Sequence, residues 1–192
     1  MYMDLIRIVV IGPESTGKSS LCEALAKHFN AAWCPEYARE YLTSHGKEYT
    51  FEQLDEIARG QLILEEEYAA RAIKGWKEQQ DKVTPKPLLF IDTDMYVMKV
   101  WCEFVFGKCH PWIKEEISKR KYDLYLLCNT DLPWQKDHLR EYPDLETRES
   151  LLSIYRELLK QQSVPWQEIT GQGQDRIDEA ISAVETHILN KP

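Results

Sequence analysis

Residues 12–19 read Gly12-Pro13-Glu14-Ser15-Thr16-Gly17-Lys18-Ser19, and this order of residue types points to phosphate chemistry. The pattern G-x-x-x-x-G-K-[ST] offers consecutive backbone N–H groups, here those of Glu14 to Ser19, that can wrap a phosphate. Gly12 and Gly17 allow torsions and close approach that a side chain would block. Lys18 can reach the outer phosphates, and Ser19 offers a hydroxyl to Mg²⁺. With Ser20 beside them, these residues form the expected nucleoside-triphosphate site.

Three further groups of residues can act on a bound triphosphate. Leu88-Leu89-Phe90-Ile91-Asp92 is an apolar run closing on an acid, the Walker B pattern. In a parallel sheet such an acid stands beside the phosphate loop, so Asp92 is expected to join Ser19 in holding Mg²⁺. Asp94 has two readings, a cap for a helix starting at Met95 or a group reaching the substrate or the metal shell.

In Trp33-Cys34-Pro35-Glu36-Tyr37-Ala38-Arg39-Glu40-Tyr41, Glu36 can accept or align the proton of a substrate hydroxyl. Arg39, one helical turn on, can stabilise transferring phosphate charge or pair with Glu36. Trp33, Tyr37 and Tyr41 can stack a planar ring, although aromatics at this spacing more often fill a core. In Pro133-Trp134-Gln135-Lys136-Asp137-His138-Leu139-Arg140, Arg140 is the first candidate to close over the phosphates and Arg148 the second. Lys136 and Glu141 read as solvated charges. Gly171-Gln172-Gly173 can bring backbone close to a base.

These groups need elements that alternate, as in a parallel sheet wrapped by helices. Strands are expected at 5–11, 31–34, 88–91, 122–128 and 164–169. Helices are expected at 19–29, 36–44, 51–82, 95–106, 111–119, 146–162 and 175–189, with Pro85 and Pro87 stopping the third. Residues 129–145 are polar and hold two prolines, and read as a mobile loop. The reading is therefore an α/β fold of three layers, a five-stranded parallel sheet between helices. It is taken as one phosphate-loop domain over 1–192 with a lid near 131–145.

The chain has 192 residues, 43% of them apolar, and a formal net charge of −8, so it reads as globular and is a poor candidate for nucleic acid or an anionic membrane. The N-terminal apolar run is short and contains Arg7, unlike a secretion signal. Cys22, Cys34, Cys102, Cys109 and Cys128 never form C-x-x-C; Cys22, Cys102 and Cys128 read as core thiols, and a reducing, cytoplasmic setting is expected. Cys109-His110 lacks a second pair at metal spacing.

A switch GTPase would carry D-x-x-G and N-K-x-D, and neither occurs; Asn129-Thr130-Asp131 lacks the lysine and the spacing. A motor ATPase usually adds a helical domain for which the chain is too short. A small-molecule kinase using ATP and Mg²⁺ fits better. Kinases for other nucleosides or small alcohols, and an ATP-binding regulatory module, remain open alternatives, as does the oligomeric state.

The series GPESTGKS, PEYAREY, FIDTD, HPW and PW-x-x-D-x-x-R resembles the ribosylnicotinamide kinase domain of the NadR family, in order along nearly the whole chain. The resemblance implies transfer of phosphate from ATP to the 5′-hydroxyl of nicotinamide riboside. On matching positions it implies that Lys18 and Ser19 hold triphosphate and Mg²⁺ and that Asp92 and Asp94 lie at metal and substrate. It likewise puts Glu36 and Arg39 at the acceptor and Arg140 in the lid. The H-x-G-H motif of the family's adenylyltransferase domain is absent, and His138 stands where a lid glycine is expected.

Overall fold

In a computed structural model that describes residues 5–190, five strands form one sheet in the order β2-β3-β1-β4-β5. They are β1 (Ile6–Ile11), β2 (Ala32–Cys34), β3 (Leu88–Asp92), β4 (Leu124–Cys128) and β5 (Trp166–Ile169). Every pairing is parallel, with Val10 opposite Asp92 on one side of β1 and Leu126 on the other. β3 and β4 are buried at every position, as apolar strands covered on both faces should be.

Seven α-helices cover the sheet: α1 (Lys18–His28), α2 (Tyr37–His45), α3 (Phe51–Glu78), α4 (Met95–Phe106), α5 (Pro111–Lys119), α6 (Leu145–Lys160) and α7 (Gly173–Val184). One face packs Ile8, Val10, Phe90 and Leu126 against Leu21, Leu25 and Ala180 of α1 and α7. The other packs Val9, Ile11, Leu89 and Leu127 against Ala69 of α3, Val100 of α4 and Leu152 of α6. A third cluster joins α2 to α5 beyond the sheet edge through Leu42, Ile57, Met98 and Ile113. The fold is the expected three-layer phosphate-loop architecture.

Two helix ends differ most from the sequence reading. α3 ends at Glu78, before either proline, because Lys82 Nζ donates to the carbonyls of Trp76 (2.9 Å) and Gln79 (3.4 Å) while its ammonium lies over the Trp76 ring. Gln79 then turns extended and donates to Asn30 O at 2.7 Å. The final helix is regular only to Val184; Glu185–Leu189 continue as a π-turn, closed by Asn190 N–H donating to Glu185 O at 2.8 Å. Cys22, Cys102 and Cys128 are core thiols as read, and Cys34 joins them.

Candidate active site

The phosphate loop sits between β1 and α1. Gly12 takes φ 143, and a Cβ there would come within 2.7 Å of Cys128 O. Gly17, left-handed at φ 76, begins α1 without any side-chain cap, so the helix N-terminus stays open toward the loop. Ser15 is also left-handed, φ 57. Its hydroxyl accepts from Gln135 N–H at 2.9 Å and from Arg140 Nη1 at 3.1 Å. Lys18 Nζ donates to Pro13 O at 3.0 Å.

β3 brings Asp92 alongside, where Ser19 Oγ donates to its Oδ2 at 2.5 Å. Its Oδ1 is buried with no hydrogen-bond partner among the described residues. Burial first, then the charge of Glu36, raises this carboxyl to about 6, against the pull of Lys18 and Ser19. A hydroxyl and an unsatisfied carboxylate oxygen beside a phosphate loop are the oxygen donors that a Mg²⁺–triphosphate complex needs from protein. Ser19 and Asp92 therefore fit Mg²⁺.

Thr93 stands at φ 82, a region that β-branched residues avoid, and this turn separates the two acids. Asp94 caps α4, accepting from Tyr96 N–H at 3.0 Å and Val97 N–H at 3.3 Å, and takes the Tyr125 hydroxyl at 3.0 Å. Its carboxyl is raised to about 7, chiefly by burial. Both oxygens are thus engaged, so of the two readings of Asp94 these contacts favour the helix cap.

The loop opens into a cleft of about 760 Å³, whose lining also includes Trp33, Glu36, Trp101, Phe104, Tyr142 and Tyr155. Glu36 occupies the N-cap position of α2 but makes no capping bond, so its carboxylate is not spent on the helix. Gln61 of α3 pins this turn: its Oε1 accepts from Tyr37 N–H at 2.8 Å and its Nε2 donates to Pro35 O at 3.4 Å. Tyr37 packs its ring on Gly60, and Tyr41 stacks on His45 at 4.2 Å while donating to Glu56 at 2.6 Å. Of the three aromatics considered for stacking, only Trp33 lines the cleft. Gln172 and Gly173 of the glycine turn also line it.

Residues 131–144 fold over the loop. Glu141 and Tyr142 donate their N–H groups to Glu14 Oε2 at 2.9 and 3.2 Å. The guanidinium groups of Arg140 and Arg148 lie 5.8 and 5.6 Å from the centre of the Trp134 ring. Arg140 faces the loop as read. Arg148, 3% exposed, instead clamps the loop from outside, donating to the carbonyls of Glu14, Ser15 and Leu132. Glu141 is not merely solvated, since it accepts the Tyr49 hydroxyl at 3.0 Å. Arg39 pairs with Asp137 at 2.9 Å rather than with Glu36. His138 needs no glycine torsion: Ser15, Asn30 and Thr93 are the non-glycine positive-φ residues described.

Two buried groups escaped the sequence reading. Arg176, 4% exposed, donates to Thr16 O at 2.9 Å, Asn129 O at 3.2 Å and Asp131 Oδ1 at 2.8 Å. Gln61 is the other. Among the described residues no helix is long and apolar enough to cross a membrane.

Loop, Walker acid and sheet order define a phosphate-loop protein with a kinase-like fold. A family model described as an AAA domain matches residues 7–176, and the chain belongs to that family. It is 31% identical over 161 residues to the trifunctional NAD biosynthesis/regulator protein NadR of Salmonella typhimurium, covering 82% of this chain and 36% of that protein. The chain thus spans about a third of the length of the curated relatives it matches. A crystal structure of NadR in complex with NR superposes with a TM-score of 0.69 at 23% identity, over 97% of this chain and 52% of that one. Thymidylate kinase from Ehrlichia chaffeensis follows with a TM-score of 0.64 at 12% identity, covering 94% and 98%. The likeness to the NadR family drawn from the motifs holds in both sequence and fold.

Proposed function

We propose that this chain transfers the γ-phosphoryl group of ATP to the 5′-hydroxyl of nicotinamide riboside, giving nicotinamide mononucleotide and ADP. The observation that carries the reading is the cleft itself. One cleft holds a complete phosphate loop with the Ser19–Asp92 pair, the uncapped carboxylate of Glu36 and several aromatic side chains. Similarity to NadR, one structure of which holds NR, supports this acceptor.

Phosphoryl transfer asks a protein for positioning and charge neutralisation. The loop N–H groups and Lys18 bind the triphosphate. Ser19 and Asp92 would hold Mg²⁺, which would supply positive charge to offset that of the triphosphate. Glu36 hydrogen-bonds the acceptor hydroxyl and directs its oxygen at the γ-phosphorus. The new O–P bond forms as the bond to the β,γ-bridging oxygen breaks, and the hydroxyl proton passes to Glu36. Arg140 neutralises charge on the departing side, and the folded lid keeps water from competing. A nicotinamide ring is cationic, and Trp33, Trp101 and Tyr155 offer faces that attract it by about 0.5–2 kcal/mol. Five unpaired thiols support a reducing, cytoplasmic setting, and the reading takes 1–192 as one kinase domain acting on a small molecule.

The test is direct. Purified protein with Mg-ATP and nicotinamide riboside is expected to yield ADP and nicotinamide mononucleotide, each dependent on both substrates. ATP binding without product from this or other nucleosides overturns the kinase reading in favour of a regulatory nucleotide-binding module.

A further inference from the structure

Asp137 stands inside the lid motif, yet the phosphate chemistry above makes no use of it. Its two carboxylate oxygens serve different elements. Oδ1 accepts from Leu139 N–H at 3.0 Å, and its own carbonyl accepts Arg140 N–H at 3.2 Å, closing the turn from which Arg140 departs. Oδ2 takes Arg39 Nη1 at 2.9 Å. The same carboxylate has His138 Nδ1 at 3.5 Å, on a ring that is itself largely exposed.

This pair joins α2 to the lid. Arg39 lies one turn after Glu36 on the segment that bounds the acceptor chamber. Arg140 reaches Ser15 Oγ at the tip of the phosphate loop. A second strut runs parallel to the first: Trp101 Nε1 donates to the Tyr49 hydroxyl at 2.6 Å, and that hydroxyl donates to Glu141, whose N–H holds Glu14. A chamber wall on α4 is thereby tied to the same lid.

We propose that Asp137 is a positioning residue that couples the acceptor end of the cleft to the placement of Arg140 over the phosphate loop, through its ion pair with Arg39. An acceptor that settles α2 then favours the closed lid, and a lid closed on triphosphate favours the acceptor, as reciprocal linkage requires. The consequence is that ATP turnover depends on acceptor. This inference rests on the proposed kinase function. Arg39 is 47% exposed at its side chain, so salt weakens the latch.

The experiment is a double-mutant cycle with Asp137→Ala, Arg39→Ala and both, alongside the near-isosteric Asp137→Asn, on chains whose melting is cooperative. The readout is the ratio of ATP turnover with nicotinamide riboside to turnover without it. Asp137→Asn is expected to lower that ratio about tenfold, because misplacing a charged group by about an ångström costs up to about a hundredfold. The double variant is expected to lose no more than the worse single one. An unchanged ratio, or losses that multiply, overturns the latch. If the native chain phosphorylates no nucleoside, the function fails but the latch is still measurable. The cycle is then read on affinity for Mg-AMP-PNP, where equal losses in single and double variants support it and multiplying losses sink it.

Discussion

Ser19 and Asp92, 73 residues apart in sequence, are joined by a 2.5 Å hydrogen bond that fastens the first turn of α1 to the end of β3. The bond engages one carboxylate oxygen and leaves the other buried and free. Lys18, next to Ser19, lowers the cost of the Asp92 charge and has its own ammonium at the loop. Removing either charge is therefore expected to damage transfer far more than folding. Lys18→Ala and Asp92→Asn should each reduce phosphoryl transfer by about 10²-fold or more, the cost of deleting one preorganised charge-stabilising group. Their melting temperatures should stay near the native value. Normal turnover in Lys18→Ala would refute the assignment.

The loop, Walker acid and strand order were legible because each is encoded locally, in a contiguous run of residues whose types have few other uses. Glu36 and Arg140 are suggested by their place after a strand. The supports of the site were not legible. A phosphate loop turns its N–H groups inward, so several carbonyls face out and need donors. Arg148 and Arg176 supply them across separations of 133 and 160 residues; in sequence Arg176 reads as an ordinary charge on an amphipathic helix, and Arg148 as a second lid candidate rather than a support of the loop. Gln61 likewise looks like a helix-surface residue until α3 is set against the β2–α2 turn. Asp94 could be read either way because a cap and a catalytic acid occupy the same position after a strand; only its contacts with Tyr96, Val97 and Tyr125 decide.

Arg148 follows from this argument. Its guanidinium donates to three carbonyls, and its removal would leave buried acceptors unsatisfied beside a void. Arg148→Ala should lower stability by about 3 kcal/mol and weaken Mg-ATP binding, with Arg148→Lys recovering part of both. Urea midpoints with and without nucleotide measure this. A loss smaller than about 0.5 kcal/mol, the range of ordinary surface changes, would mean that the loop holds its shape unaided.

Glu168 on β5 gives the pH dependence a defined sign. Arg156 of α6 donates to both its oxygens at 2.7 and 2.6 Å, and Asn129 Nδ2 donates at 2.5 Å. The hydrogen bond from Arg156 first, with help from Asn129, holds the carboxyl below its usual 4.5 despite partial burial. The folded state therefore binds this proton less readily than the unfolded chain. Its stabilisation is present above pH 4.5 and is lost as pH falls through the lower folded value. Both side chains are partly exposed, so the contribution is about 0.5–1 kcal/mol after screening. Thermal melts of Glu168→Gln should fall below the native chain at pH 7 and converge with it at pH 3. Parallel curves would show that the pair adds nothing.

Gly60 tests whether the acceptor end can be disturbed apart from the phosphate end. A Cβ at this position in α3 would lie 2.0 Å from Tyr37 Cε1, with two more ring atoms within 2.5 Å. Alanine favours a helix by about 1 kcal/mol, but here it must drive the Tyr37 ring off its seat. Tyr37 is the first residue of α2, and its N–H is held by Gln61, so the displaced ring strains the turn that carries Glu36. Overpacking of this kind costs about 1–3 kcal/mol, which outweighs the gain in propensity. Gly60→Ala is therefore expected to destabilise the chain modestly and raise the acceptor KM several-fold. The KM for ATP should rise less, since loop, Ser19 and Asp92 lie outside the disturbed turn and feel it only through the Arg39–Asp137 pair. Steady-state kinetics with each substrate varied in turn separates the two. Equal rises in both constants would show that the cleft deforms as one piece.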